Sequence, residues 1–280
     1  MRTRHRAAIG VCAALAAVMF SPELPAQDVR ALKESKDVPG LMRLLRNCDG
    51  RVRSSAAVVL SGVIRQIDDE KTLARHIQPL IDATLRDPYS SVREYAGRAL
   101  QHCLQNVTDA SVMAGAAAPL IDALNATEVD AKRRRYCAVQ LSRVIPHVQQ
   151  DSLLEQSVPM LLSATLNDPD ETVREYAGRA LKNALTRVSD TKLLHTGCVA
   201  LARTHKHKDP RRRGYAAVLL SWLASRVKEL DTLRAILDPI RNAAERDSNE
   251  TVREYAGRAT RDITRRLEAA DAESNGPAKP

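Results

Sequence analysis

The stretch that decides the fold is VREYAGRAL at residues 92–100, which returns unchanged at 173–181 and as VREYAGRAT at 252–260. The intervals are 81 and 79 residues. A second series alternates with it: RVRSSAAVVLS at 51–61, RRRYCAVQLS at 133–142 and RRRGYAAVLLS at 211–221. Aligned together, the two series divide the chain into six units of about 40 residues, and self-similarity at this period indicates a helical solenoid. Proline marks the same register independently. Pro39, Pro79, Pro119, Pro159 and Pro239 are spaced by multiples of 40, and Val199 is the one exception.

Each unit reads as two helices, the first carrying the proline and an apolar run such as PLIDATL from Pro79, the second opening near the Val-Arg pair. On a helical wheel Val92, Ala96, Ala99, Leu100 and Cys103 fall within one arc, while Glu94, Arg98 and Gln101 oppose them. That is an amphipathic helix with a buried stripe. A lone helix pair cannot bury such a stripe, so neighbouring units must stack into one elongated core. Composition agrees: 44% of the 280 residues are hydrophobic but only 3% aromatic, so Ala, Leu and Val must build the core. Small side chains suit closely packed helices better than a sheet, which favours aromatic and β-branched residues. The expected fold is therefore all-α, an α-α superhelix of six two-helix repeats over residues 28–270.

An Asp stands in each inter-helix turn, followed by an Arg near the start of the second helix: Asp49 with Arg53, Asp87 with Arg93, Asp130 with Arg134, Asp168 with Arg174, Asp209 with Arg213, and Asp247 with Arg253. With the proline of the first helix and the Val-Arg pair, this pattern resembles the HEAT repeat family, and it is similar to the phycobilisome-lyase type of HEAT-like repeat. The resemblance implies a superhelix whose second helices line the concave side, and an Asp/Arg ladder joining neighbouring repeats. It implies a habit of binding along a surface and not a ligand. The Asp lies four positions before the Arg in odd units and six in even units. The six repeats thus read as three alternating pairs.

Two candidate surfaces follow. The concave face is expected to carry Glu94 with Arg98, Glu175 with Arg179, and Glu254 with Arg258, each at the i,i+4 spacing of a helix-surface ion pair. Odd units place Val58, Val139 and Val218 where the even units have those arginines. Alternating apolar and charged rows fit a protein-binding groove. The second surface is a basic edge where second helices begin: Arg51 and Arg53, then Lys132, Arg133, Arg134 and Arg135, then Arg211, Arg212 and Arg213, with Lys206 and Lys208 nearby. Cations at a helix N-terminus oppose its dipole and call for a counter-anion or solvent screening. This edge is a candidate for an acidic protein, an anionic polymer or a membrane surface. Tyr95, Tyr136, Tyr176, Tyr215 and Tyr255 share one repeat position, and Gly97, Gly178 and Gly257 share another, which predicts an aromatic row beside a seam of close helix approach.

The N-terminus reads as a signal peptide over residues 1–26: a basic MRTRHR leader, an uncharged run from Ala7 to Phe20, and LPA before Gln27. The run is too short to span a bilayer. Its removal would take Arg2, Arg4, Arg6 and Glu23 with it and lower the net charge from +9 to +7. An exported, periplasmic or secreted location is expected, which disfavours nucleic acid as the partner. Residues 271–280 lack apolar periodicity and read as a disordered tail. Cys48, Cys103, Cys137 and Cys198 have no metal-ligand spacing and are expected in helices as small buried hydrophobes.

Recognised catalytic motifs are missing: there is no GxSxG, HExxH, CxxC or phosphate-binding glycine loop. His195, His205 and His207 are poorly spaced for a shared metal. The expectation is a non-catalytic scaffold with no metal or cofactor that binds a protein. Binding of an anionic polymer or membrane surface is the alternative, and a HEAT-like lyase or glycosylase, implied by resemblance alone, is the third.

Overall fold

The computed structural model describes residues 26–126 and 128–274, which form thirteen α-helices and three single-turn 3-10 segments, with no strand among them. The first unit holds α1 (Ala26–Glu34), α2 (Val38–Leu44) and α3 (Gly50–Val63). The second holds α4 (Glu70–Arg86) and α5 (Ser90–Asn106), the third α6 (Ala110–Asn125) and α7 (Ala131–Val144). The fourth holds α8 (Asp151–Asn167) and α9 (Glu171–Leu185), the fifth α10 (Thr191–Arg203) and α11 (Pro210–Ala224). The last holds α12 (Leu230–Arg246) and α13 (Glu250–Ser274).

Local chemistry explains where these helices start and bend. Asp69, Asp109 and Asp190 cap the first helices α4, α6 and α10 by accepting from backbone N–H groups at Thr72, Ser111 and Lys192, which satisfies donors a helix cannot pair internally. Pro79, Pro119, Pro159 and Pro239 lie inside α4, α6, α8 and α12, where each removes one ladder hydrogen bond and bends the helix. The first unit departs from this pattern. Pro39 opens the short α2, and the chain turns between α1 and α2 through Lys36, at φ 53°.

One continuous core runs from Val29 to Leu267, built from the Leu, Ala and Val stripe of each helix. The stacking is nevertheless uneven. Second helices pack along their lengths within a pair of units, α3 on α5, α7 on α9 and α11 on α13, whereas α5 and α7, and likewise α9 and α11, touch only briefly. The expected alternation of pairs is thus a property of the packing.

The Asp/Arg ladder follows the same alternation. Arg53, Arg134 and Arg213 of odd units donate to Asp87, Asp168 and Asp247 of the following even units at 2.7, 2.8 and 2.7 Å. Between pairs the rung is weak: Arg174 stands 4.0 Å from Asp209, and the Arg93 guanidinium bonds the Asp87 and Pro88 carbonyls instead. The Asp offset is the reason. Asp49, Asp130 and Asp209 lie at the N-cap position, where their carboxylates accept from the N–H of Arg51, Arg133 and Arg211. The even-unit Asp sits two residues farther upstream, which leaves an oxygen for the preceding arginine.

Two expectations are corrected here. Helix α13 continues to Ser274, so the first part of the 271–280 stretch is helical, while residues 275–280 and the leader before Ala26 lie outside the described residues. Cys48 is exposed in the turn before α3 and bonds no other cysteine, whereas Cys103, Cys137 and Cys198 are free and buried. Cys48 falls beyond the last turn of α2, where the backbone runs over the surface.

Candidate binding face and inter-pair cleft

The residues expected on the concave face stand on the second helices, with Arg98, Arg179, Glu254 and Arg258 exposed and Glu94 and Glu175 half-buried. Arg98, Arg179 and Arg258 each donate to the glutamate one turn earlier, Glu94 at 2.6 Å, Glu175, and Glu254 at 2.5 Å. Each arginine also lies over the tyrosine three residues before it, Tyr95 and Tyr176 at 4.7 Å and Tyr255 at 5.0 Å from the ring centroid. These even-unit tyrosines are half-buried against the core, with an arginine stacked over the ring. Of the odd-unit valines, Val58 is 44% exposed, and Val139 and Val218 are half-buried.

The odd-unit tyrosines behave differently. Tyr136 of α7 lies against Gly97 of α5, and its hydroxyl donates to the Gly97 carbonyl at 2.8 Å. Tyr215 of α11 lies against Gly178 of α9 and donates to the Glu175 carbonyl at 2.5 Å. A Cβ at Gly97 would come within 3.1 Å of the Tyr136 ring, and one at Gly178 would overlap the Tyr215 ring. The glycine seam is a set of sockets for the next pair's tyrosine. Gly257, at the end of the array, receives no ring.

Beside Tyr136, where α5 and α7 touch only briefly, a cleft of about 340 Å³ remains. Leu85 at the end of α4, the Tyr136 ring and Val139 supply its apolar lining; Arg98, Gln101, Lys132 and Arg135 stand around it. Glu94 is shared at the rim, accepting from Arg98 at 2.6 Å and from Lys132 at 3.0 Å. The Lys132 ammonium, with Arg98 beside it, holds the Glu94 carboxyl below the usual glutamate range. For Asp130, also in the lining, burial pushes upward, but the Arg133 N–H and guanidinium outweigh it and the carboxyl is held low. Carboxyls kept ionised in this way are poor general acids near neutral pH.

The equivalent junction between α9 and α11 carries different side chains, among them Gly214 where α7 has Arg135. Glu171 stands where α5 has Ser90, and it pairs with Arg211 at 2.6 Å. Lys182 stands where α5 has Gln101, and its ammonium lies 4.4 Å from the ring centroid of Trp222, which replaces Arg143. The cleft itself was not legible in the sequence.

The candidate anion-binding edge is mostly internally neutralised. Arg53 is bound to Asp87 and the Asn47 carbonyl. Arg133 reaches Asp130 and the Leu85 carbonyl, and Arg212 reaches the Leu166 carbonyl. Both thereby bind the C-terminal end of the preceding unit's first helix, where the dipole favours a cation. Lys132 pairs with Glu94, Arg135 with Asp170 and Arg211 with Glu171, while Arg51 is exposed. The counter-anions that helix-terminal cations require thus come from neighbouring repeats. The histidines do not converge: His195 bonds Thr232, His205 the Ala202 carbonyl, and His207 accepts from the Asp209 N–H. Among the described residues no cluster of His, Cys, Asp or Glu has metal-site geometry, and no helix is long and apolar enough to cross a membrane.

No protein-family model matches the sequence, and no curated protein does. Solved structures do. The archaeal HEAT-like repeats protein from Thermococcus onnurineus NA1 matches with a TM-score of 0.58 at 16% identity, over 88% of this chain and 100% of that one. A designed armadillo repeat protein in complex with the peptide (KR)4 matches with a TM-score of 0.58 at 16% identity, over 81% of this chain and 99% of that one. A designed armadillo repeat protein made for modular peptide recognition matches with a TM-score of 0.59 at 18% identity, over 80% and 99%. At such identities the likeness establishes the fold, and it does not extend to the phycobilisome-lyase subtype. This chain is a HEAT/armadillo-type repeat solenoid.

Proposed function

We propose that this protein is a non-catalytic, exported scaffold that holds a segment of a partner protein along the exposed face of its second helices. The observation that carries the reading is the cleft between α5 and α7, where an apolar lining meets a charged rim on an otherwise continuous face. Concave, mainly apolar sites with a few placed polar groups are what binding segments use. The solved neighbours include armadillo proteins designed to hold peptides. Export rests on the leader in the sequence. An anionic polymer or membrane surface is a weaker fit, because the basic edge is largely paired within the protein.

The test places a photo-crosslinking residue at Val139 on α7, and at exposed Gln156 on α8 as control, in cells that express the full chain. Crosslinked partner protein at Val139 but not Gln156, lost when Glu94, Arg98, Glu175 and Arg179 are replaced together, is the expected result. Equal adducts at both positions would remove the second-helix face from consideration. Sequencing the N-terminus of the same material tests export: a chain starting at Gln27 is expected, and one that retains Met1 in the cytosol refutes that part.

A further inference from the structure

We propose that the α5/α7 cleft takes an acidic, extended segment of the partner, which inserts one large apolar side chain against Leu85, Tyr136 and Val139 and sets carboxylates against Lys132 and Arg135. This rests on the peptide-holding reading above and specifies its chemistry. The volume of about 340 Å³ is at the small end for ligand sites, whose range is roughly 300–1,000 Å³. It suits one side chain and its flanking backbone better than a second domain.

Charge selects the flanks. Five cations and two carboxylates line the cleft. Arg93 and Arg133 are occupied by backbone carbonyls, and Asp130 is occupied by Arg133. That leaves Arg98, Lys132 and Arg135 at the rim, about half to three-quarters exposed at 49, 74 and 48%, with Arg98 and Lys132 sharing Glu94 and Arg135 reaching Asp170 at 3.2 Å, so that three cations face two carboxylates. Glu94 is the carboxylate they face across the opening, and it already serves both Arg98 and Lys132. An incoming carboxylate can take over Lys132 while Glu94 keeps Arg98, so no charge is stranded. A basic segment would meet a rim where three cations outnumber Glu94 and Asp170, and like charges brought together at an interface disfavour the wrong partner. This solenoid is thus set for the charge opposite to that of the (KR)4 peptide bound by its designed neighbour. The corresponding junction between α9 and α11 lacks the third rim cation, because Gly214 stands where α7 has Arg135.

The experiment measures binding of the full chain without its leader to three labelled heptapeptides: Glu-Ser-Glu-Trp-Glu-Ser-Glu, the same peptide with Lys for Glu, and the acidic peptide with Ser for Trp. Tightest binding is expected for the acidic tryptophan peptide, with the other two weaker by about tenfold or more. Val139→Trp, which fills the cleft from a half-buried surface position, and the Lys132→Glu/Arg135→Glu double variant should each weaken it by about tenfold, with unchanged helical circular dichroism. Preference for the lysine peptide, still abolished by V139W, would overturn the acidic assignment and keep the peptide-holding face. Acidic binding insensitive to V139W but lost in Arg51→Glu would move the site to the basic edge and overturn the proposal. Binding of none of the three would overturn both.

Discussion

At the scale of single residues, the three seam glycines share a motif and differ in what they face. Gly178→Ala would drive a methyl group into the Tyr215 ring, and overpacking of this kind costs about 1–3 kcal/mol. Gly257→Ala meets only the Arg261 side chain at 3.6 Å, so the helix-forming gain of about 0.5–1 kcal/mol should appear as stabilisation. Urea unfolding of the two variants should move in opposite directions. Tyrosine divides in the same way: Tyr215→Phe loses the bond to the Glu175 carbonyl, about 1 kcal/mol, while Tyr255→Phe should change little. Thiol chemistry gives a third residue-scale test. Burial pushes the Cys103, Cys137 and Cys198 thiols up to about 12. A maleimide at pH 7.5 should therefore label Cys48 promptly in the leaderless chain, and the other three only after urea is added.

At the scale of elements, the ion-pair rungs distinguish contacts within pairs of repeats from contacts between them. Arg213 and Asp247 are 11 and 5% exposed, and leaving one member of such a pair without its partner costs about 3–5 kcal/mol. Asp247→Ala should therefore unfold at clearly lower urea than the wild type. Acid tests the same rung. The hydrogen bond from Arg213, joined by the Asn249 N–H, holds the Asp247 carboxyl below its ordinary 3.8. A carboxyl depressed by folding contributes its full stability above the unfolded value and loses it as pH falls through the folded one. Wild-type stability should thus fall more steeply than that of Asp247→Ala as pH is lowered from about 4, which thermal unfolding across that range would reveal. The i,i+4 pairs of the binding face are another matter. Their exposure limits each to about 0.2–0.5 kcal/mol, so Glu175→Gln should leave stability almost unchanged, a difference that makes these residues usable for binding tests.

At the scale of the whole molecule, a chain of units in contact only with their neighbours has stability close to a sum of local terms. Asp87→Ala acts at the first pair and Gly178→Ala at the fourth and fifth units. Their combined effect in urea should equal the sum of the separate effects within about 0.5 kcal/mol. A larger discrepancy would mean that the two sites are energetically coupled through the intervening repeats. Binding at the charged cleft should weaken as salt rises, since exposed charges are screened beyond about 10 Å at 0.1 M.

How much of this was legible in advance follows from the range of each interaction. The period of 40, the amphipathic stripe, the prolines and the Asp offset of four or six are local features of the chain, so the sequence by itself determined the two-helix units, their number and their alternation. It also placed Glu94 and Arg98 on one face of their helix, because helical periodicity needs no knowledge of neighbours. Only the tertiary structure decided that the helix-opening cations are mostly neutralised, that two tyrosines enter glycine sockets, and that space opens between α5 and α7. Those outcomes depend on side chains 34 to 48 residues apart, such as Arg53 with Asp87 and Arg133 with the Leu85 carbonyl. Whether such groups meet is settled by how closely the helices between them stack, and no local pattern encodes that distance.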